Sequence, residues 1–258
     1  MQDVTITLVQ TDLVWEDKLR NLANFSRILG GLQDHTDLVV LPEMFTTGFS
    51  MNAPLLAEEM DGSAVQWLSD SAASLGSVVA GSVIIQEQGK YYNRLIWMRP
   101  DGSFDTYDKR HLFRMAGEKQ YFTPGSQRRI AEIKGWRFCP QICYDLRFPV
   151  WSRNRGDYHV LLYAANWPES RRETWNCLLR ARAIENQAYV IGLNRIGSDG
   201  NNIAYSGDSV ILDPKGIALS RVRPYEDSVE TLKLTFRDLQ EFRESFPVAL
   251  DADEFKLF

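Results

Sequence analysis

The chain has 258 residues, 44% hydrophobic, 24% charged and 12% aromatic, the make-up of an ordinary globular protein that can bury roughly 75% of its unfolded surface without disulfide or metal staples. Its 29 Lys and Arg stand against 34 Asp and Glu, a net charge of −5, which argues against a nucleic-acid binder with its basic stripe and against attraction to an anionic membrane surface. No apolar run approaches the length of a membrane span.

Residues 4–9 (VTITLV) alternate and are β-branched, which predicts a strand. Residues 17–33 carry Leu19, Leu22, Phe25, Ile28, Leu29 and Leu32 at three- and four-residue steps, one apolar face of a helix. Residues 37–41 (DLVVL) are a short strand of the kind buried on both faces, ended by Pro42 and followed by a loop at 43–52. A second helix is predicted at 62–75, with Ser63 as its cap and Val65, Leu68, Ala72 and Leu75 facing inward. Strands follow at 77–85, 91–98 and 103–107, separated by turns at Gly89-Lys90 and Pro100-Asp101-Gly102. Residues 110–124 read as irregular, and 129–133 with 136–142 as a hairpin about Lys134-Gly135.

A short helix is predicted at 147–155 and a buried strand at 160–164 (VLLYA). Residues 170–187 form a long helix, opened by a capping box of Ser170 and Glu173. A strand at 189–196, a turn at 198–201, a hairpin of 210–212 with 217–222, a strand at 229–234 and a helix at 236–245 complete the order. Interleaving of this kind makes an α/β protein with mixed strand pairing. Roughly ten strands are too many for one small sheet, whereas two sheets faced by helices would bury them. No repeat, low-complexity tract or linker divides the chain, so residues 1–258 read as a single domain.

Three cysteines cannot all pair within one chain, and the opening MQDVTITLVQ has no basic leader before an apolar stretch. The expected compartment is the reducing cytoplasm, with free thiols. Cys139 and Cys143 form a CxxxC without a matching His/Cys pair, Cys177 is expected in the core of the long helix, and no dinucleotide or phosphate-binding glycine motif occurs. No metal or cofactor is therefore expected.

Chemistry is sought first at Cys143. It ends the apolar run RFCPQIC and is followed by YDLRFP, which turns the chain toward a helix. Sites in α/β proteins collect at the carboxyl ends of strands, and the N–H groups of the following turn can hold an anion. A thiol of pKa about 8.5 is only ~3% thiolate at pH 7, so a nucleophilic one needs a base or a cation beside it. The alternative is a buried structural thiol.

Of the three histidines, His35 and His159 read as surface residues and only His111 could serve as an imidazole partner, so a carboxylate base is sought instead. Glu43 follows DLVVL and Pro42, the same kind of strand end as Cys143, and a carboxylate beside so apolar a strand is partly desolvated and suited to base chemistry. Lys109 ends SFDTYDK, where an ammonium would lower the thiol's pKa and stabilise an oxyanion. Each has an ordinary alternative: a helix cap or loop carboxylate for Glu43, a solvated surface cation for Lys109.

LPEMFTTGF around Glu43, YDKRHLF around Lys109 and CYDLRFP around Cys143, with ARAIENQ at residues 181–187, together resemble the nitrilase superfamily of carbon-nitrogen hydrolases, whose hallmark is a Glu-Lys-Cys triad in this order. The resemblance runs from the first strand to Asp213-Pro214-Lys215-Gly216 and points to the ω-amidase branch, which hydrolyses the terminal amide of 2-oxoglutaramate and 2-oxosuccinamate. It implies a four-layer α-β-β-α sandwich of two mixed sheets, and a homodimer in which the tail at about 246–258, with Phe255, Leu257 and Phe258, could pack on a partner subunit. It also implies a second glutamate, matched by Glu118 ahead of Pro124-Gly125, that orients substrate or Lys109.

The implied reaction uses Glu43 as base, Cys143 as nucleophile, and Lys109 with the backbone N–H of Tyr144 as oxyanion donors. The substrate carboxylate needs a cation, ideally a guanidinium fork. Arg147 is in position to supply it, unless it pairs with Asp145; Arg171, Arg172 and Arg195 are further cations. Asn166 and Trp167, after the strand VLLYA, are expected to line the pocket, and Phe45 to form an apolar wall. Other superfamily activities (nitrilase, N-carbamoyl-amino-acid hydrolase, deaminated-glutathione amidase) share the triad and differ in the pocket. A non-catalytic protein with an oxidisable Cys143 is the alternative from another class.

Overall fold

The computed structural model describes residues 1–256, so Leu257 and Phe258 of the tail lie outside the described residues. The strands are β1 (Val4–Gln10), β2 (Leu38–Val40), β3 (Val78–Glu87), β4 (Lys90–Met98), β5 (Phe104–Asp108), β6 (Ala131–Ile133) and β7 (Trp136–Ile142). Then come β8 (Val160–Ala165), β9 (Tyr189–Asn194), β10 (Ile196–Ser198), β11 (Ala204–Ser206), β12 (Val210–Leu212) and β13 (Ser228–Leu234). The helices are α1 (Lys18–Gly30), α2 (Ala53–Leu56), α3 (Ser63–Leu75), α4 (Pro149–Ser152), α5 (Arg172–Asn186) and α6 (Phe236–Ser245).

A six-stranded sheet runs β13-β1-β2-β3-β4-β5 and a five-stranded sheet β12-β9-β8-β7-β6, with β10 and β11 paired separately. Both large sheets are mixed: β1-β2-β3 and β7-β8-β9 are parallel, and their flanking strands antiparallel. Strand alternation explains the layering. Val4, Ile6, Leu8, Leu38, Val40, Leu95 and Trp97 enter the core that also holds Phe138 and Val160 of the other sheet, and the Trp97 and Phe138 rings approach to 5.2 Å. Their neighbours Val9, Val39, Ile96 and Met98 face outward against Phe25 and Leu29 of α1 and Val65, Leu68 and Ala72 of α3. After Asp37 the run LVVL is apolar throughout because both its faces are covered.

On the far side, α5 lays Trp175, Leu179 and Ala183 over the five-stranded sheet. The approach requires Gly192 in β9, where a Cβ would stand 2.4 Å from Leu179 Cδ1. The result is the expected four-layer α-β-β-α sandwich. Among the described residues no helix is long and apolar enough to cross a membrane.

Several local expectations are corrected. Asp17 caps α1, accepting from the Arg20 N–H at 3.0 Å, but α3 is capped from a distance. Its Ala64 and Val65 N–H groups donate to Glu58 at 2.7 and 3.2 Å, with Gly62 rather than Ser63 at the cap position. Ser170 caps nothing, because a 3-10 turn at Glu169–Arg171 delays α5 to Arg172. The helix expected at 147–155 is a 3-10 turn, Cys143–Arg147, followed by the single turn of α4. Residues 217–222 do not form a strand; a single bridge, Leu212 to Ala218, and bonds from the Leu219 N–H to the Ile211 carbonyl and from the Ile211 N–H to Ser220 Oγ, both at 2.8 Å, join them to β12. Cys177 lies on the exposed side of α5, whereas His159, expected at the surface, is buried. In the tail, Val248–Asp251 makes a 3-10 turn with Leu250 84% exposed.

Candidate active site

Glu43, Lys109 and Cys143 each stand just beyond the carboxyl end of a strand: β2 and β5 of the six-stranded sheet and β7 of the five-stranded one. Face-to-face packing brings these ends to one place. Glu43 lies in the tight turn after β2, where Met44 takes a φ of +44° and the Leu41 and Phe45 N–H groups still donate to Ala80 and Ser82 of β3. Lys109 is pinned through its backbone N–H to the Asn93 carbonyl at 3.0 Å. Cys143 opens its 3-10 turn with a φ of +42°, in the left-handed region that non-glycine residues enter at a cost of about 1–3 kcal/mol. The turn is held by the buried Asp145 carboxylate, which accepts from Ile142 N, His111 N, His111 Nδ1 and the Tyr107 hydroxyl.

The Lys109 ammonium donates to Glu43 Oε1 at 2.8 Å and lies 3.0 and 3.1 Å from the two Glu118 oxygens. All three side chains are buried. Glu118, in the 3-10 turn Glu118–Gln120 of the irregular segment, is locked by a bond from the Phe113 N–H. An ammonium has three N–H donors, and three carboxylate oxygens surround this one while Lys109 also lines the cavity. Burial opposes the ammonium charge, but Glu118 and Glu43 outweigh it and raise the Lys109 pKa. Burial also raises that of Glu118, against Lys109, with Glu43 adding to the rise.

The Cys143 thiol lies 3.8 Å from the Asn166 carbonyl. Burial, then the charge of Glu43, hold its pKa well above the ordinary thiol range; Lys109 pulls the other way and does not prevail. The expected lowering by Lys109 is thus overridden. The thiol rests protonated, and its proton must leave during attack.

A cavity of about 490 Å³ opens over Cys143, walled by Trp15, Phe49, Phe113, Tyr144, Trp167 and Tyr205. Arg147 and Arg171 are its guanidinium groups. Arg147 lies over the Trp167 ring at 5.1 Å and makes no ion pair among the described residues, Asp145 being engaged elsewhere. Arg171 lies over Phe113 at 5.2 Å. Arg195 is consumed by Asp12 and backbone carbonyls, and Arg172 by Asp208. Asn166 and Trp167 line the cavity as expected. Phe45 does not: it is buried in the outer core against Phe25 and Trp67, and Phe49 takes the wall position, its ring 4.8 Å from Lys109 Nζ. His111 stacks on Phe148 and binds Asp145 rather than the thiol.

Sequence reasoning missed Asn93, Ser82 and Asn194. Asn93 Nδ2 donates to Glu43 Oε1 at 2.8 Å, and Asn194 Oδ1 accepts the Trp167 N–H at 2.7 Å. For Ser82 and Asn194 a signal existed, since each is a polar residue in a run of apolar strand residues and buried polar groups are kept only with partners; Asn93, between Tyr92 and Arg94, offered none.

The chain matches the carbon-nitrogen hydrolase family model over residues 5–244. It is 46% identical over 258 residues to the omega-amidase YafV of Escherichia coli K12, covering 100% of both chains. It is 35% identical over 249 residues to a 2-oxoglutaramate amidase of Bacillus subtilis, covering 95% of each. Among solved structures, XC1258 of Xanthomonas campestris, a CN-hydrolase superfamily protein with an arsenic adduct in its active site, superposes with a TM-score of 0.98 at 44% identity over 100% of both chains. Yeast Nit3, a nitrilase superfamily member, gives 0.82 at 26% identity, over 96% of this chain and 95% of its own.

Proposed function

The chain belongs to the carbon-nitrogen hydrolase family, and from that premise we propose that it is an ω-amidase, hydrolysing the terminal amide of 2-oxo dicarboxylate monoamides such as 2-oxoglutaramate and 2-oxosuccinamate to the oxo acid and ammonia. The observation that carries the reading is the buried Glu43–Lys109 contact of 2.8 Å beside the Cys143 thiol, at the floor of a cavity with unpaired arginine on its wall. Full-length similarity to proteins named for this activity supports it.

In this mechanism the Cys143 sulfur attacks the amide carbon as its proton passes to Glu43, and the carbonyl π pair moves onto oxygen. Lys109, turning one N–H away from Glu118, and the backbone N–H of Tyr144 hold that oxyanion; loss of one such donor costs about 3–4 kcal/mol. The tetrahedral centre collapses, the C–N bond breaks, and the Glu43 proton leaves with ammonia. A water then loses a proton to Glu43 as its oxygen attacks the thioester. The C–S bond breaks, sulfur recovers that proton, and the acid departs. Glu118 keeps Lys109 in place, Arg147 receives the substrate carboxylate, and Asn166 and Trp167 shape the pocket.

The same reading includes a cytoplasmic homodimer acting on small molecules, with no nucleic-acid partner; three free cysteines and a net charge of −5 are in keeping with it. The test is ammonia release from 2-oxoglutaramate, glutamine, an aliphatic nitrile and an N-carbamoyl amino acid. Highest kcat/KM on 2-oxoglutaramate is expected. Preference for any of the other three would overturn the assignment.

A further inference from the structure

Behind Glu43, away from the cavity, a buried hydrogen-bond chain runs from backbone to base. The Met44 N–H donates to Ser82 Oγ at 2.8 Å, Ser82 Oγ donates to Asn93 Oδ1 at 2.8 Å, and Asn93 Nδ2 donates to Glu43 Oε1 at 2.8 Å. Its direction is determined by the Met44 amide, which can only donate. Ser82 must therefore spend its own hydrogen on Asn93 Oδ1, and the NH2 of Asn93 is turned toward the carboxylate. Asn93 also accepts the Lys109 N–H on its carbonyl at 3.0 Å. One residue in mid-strand thus touches two members of the triad without lining the cavity.

The consequence lies in how the two Glu43 oxygens are occupied. Oε1 receives Asn93 Nδ2 and Lys109 Nζ, both at 2.8 Å. Oε2 receives the Asn166 N–H at 2.8 Å and keeps a lone pair. We propose that Asn93 is a positioning residue: its side-chain NH2 fills Oε1 and leaves Oε2 as the oxygen that takes the Cys143 proton, while its main-chain carbonyl fixes Lys109 beside that carboxylate. The proposal rests on the reading of Glu43 as the base.

The titratable groups that face Glu43 are Lys109 from the end of β5, Glu118 from the irregular segment and Cys143 from the end of β7. Removing the Asn93 donor favours the protonated carboxyl and frees Oε1 to compete for the proton. For Asn93→Ala, the acid limb of the kcat/KM profile on 2-oxoglutaramate should move to higher pH by about one unit, the worth of one hydrogen bond to a charged group. Its kcat should fall about tenfold or more, with KM nearly unchanged. Ser82→Ala, which releases the amide from its orientation and leaves the Met44 N–H unpaired, should shift the limb the same way by less.

The experiment measures pH–rate profiles of wild type, Asn93→Ala and Ser82→Ala, with Glu43→Gln alongside. If Asn93→Ala does not fold, Ser82→Ala carries the measurement. Shifted acid limbs with preserved KM support the proposal. Wild-type limbs in both variants, with Glu43→Gln inactive, overturn the Asn93 role and leave the base assignment standing. Near wild-type turnover by Glu43→Gln overturns both.

Discussion

Asn166 clasps Glu43 twice: its backbone N–H donates to Oε2 at 2.8 Å, and its side-chain amide donates to the Glu43 main-chain carbonyl. Asn166 follows β8 and Glu43 follows β2, so the clasp joins the two sheets at the site. The Asn166 main-chain carbonyl faces the Cys143 sulfur, so the Glu43 carboxylate and the Cys143 thiol are held against one residue.

Asn166→Ala removes the amide donor and leaves a buried carbonyl unpaired, a cost of about 1–3 kcal/mol. A lower denaturation midpoint is expected, with kcat down about tenfold because the Glu43 turn loosens. Wild-type stability and turnover would show that the clasp is idle.

The left-handed backbone at Cys143 separates two inactive variants. Glycine adopts that conformation freely, whereas alanine is strained there by roughly 1 kcal/mol. Cys143→Gly should therefore unfold at higher denaturant than Cys143→Ala, with neither releasing ammonia. Equal midpoints would contradict the strain.

His159 is held down to about 4 by burial, with Arg137 and Arg243 adding to the effect, and its Nδ1 accepts the Arg137 N–H at 3.1 Å. The unfolded ring takes a proton near 6.5, while the folded one resists until about 4. The stability it contributes is therefore present above pH 6.5 and is lost as pH falls through 4, by roughly 2 kcal/mol after solvent screening. His159→Gln should flatten that part of the stability curve in chemical denaturation. An unchanged slope would show that another group governs it.

In the proposed reaction Arg147, which lines the cavity, receives the substrate carboxylate. Arg147→Met should lower kcat/KM on 2-oxoglutaramate about 10- to 100-fold, the range for a charged hydrogen bond, and leave a short monoamide without a carboxylate unaffected. Equal losses on both substrates would give Arg147 a structural role instead.

Strands and helices whose periodicity ends at a clear turn were legible: β7 and α6 begin and end where the pattern predicts. Features that depend on tertiary partners were not. The cap of α3 comes from Glu58, and the Ser170 cap is lost because the chain tightens into a 3-10 turn first. That Glu43, Lys109, Cys143 and Glu118 lie together was legible through their motifs, but Asn93 and Ser82 join them only because β3 and β4 pass behind the Glu43 turn. Phe45 misled for the same reason. Its N–H still pairs with Ser82 of β3, which sends the ring to the outer core, and the cavity wall waits for Phe49.

In the proposed reaction Cys143 carries the acyl group. Rapid acid quench of the enzyme with 2-oxoglutaramate, followed by peptide mass spectrometry, reads this directly. A 2-oxoglutaryl adduct on the Cys143 peptide, formed and lost at rates matching turnover and missing from Cys143→Ala, is the predicted result. Ammonia release by Cys143→Ala, or turnover with the adduct on another residue, would contradict it.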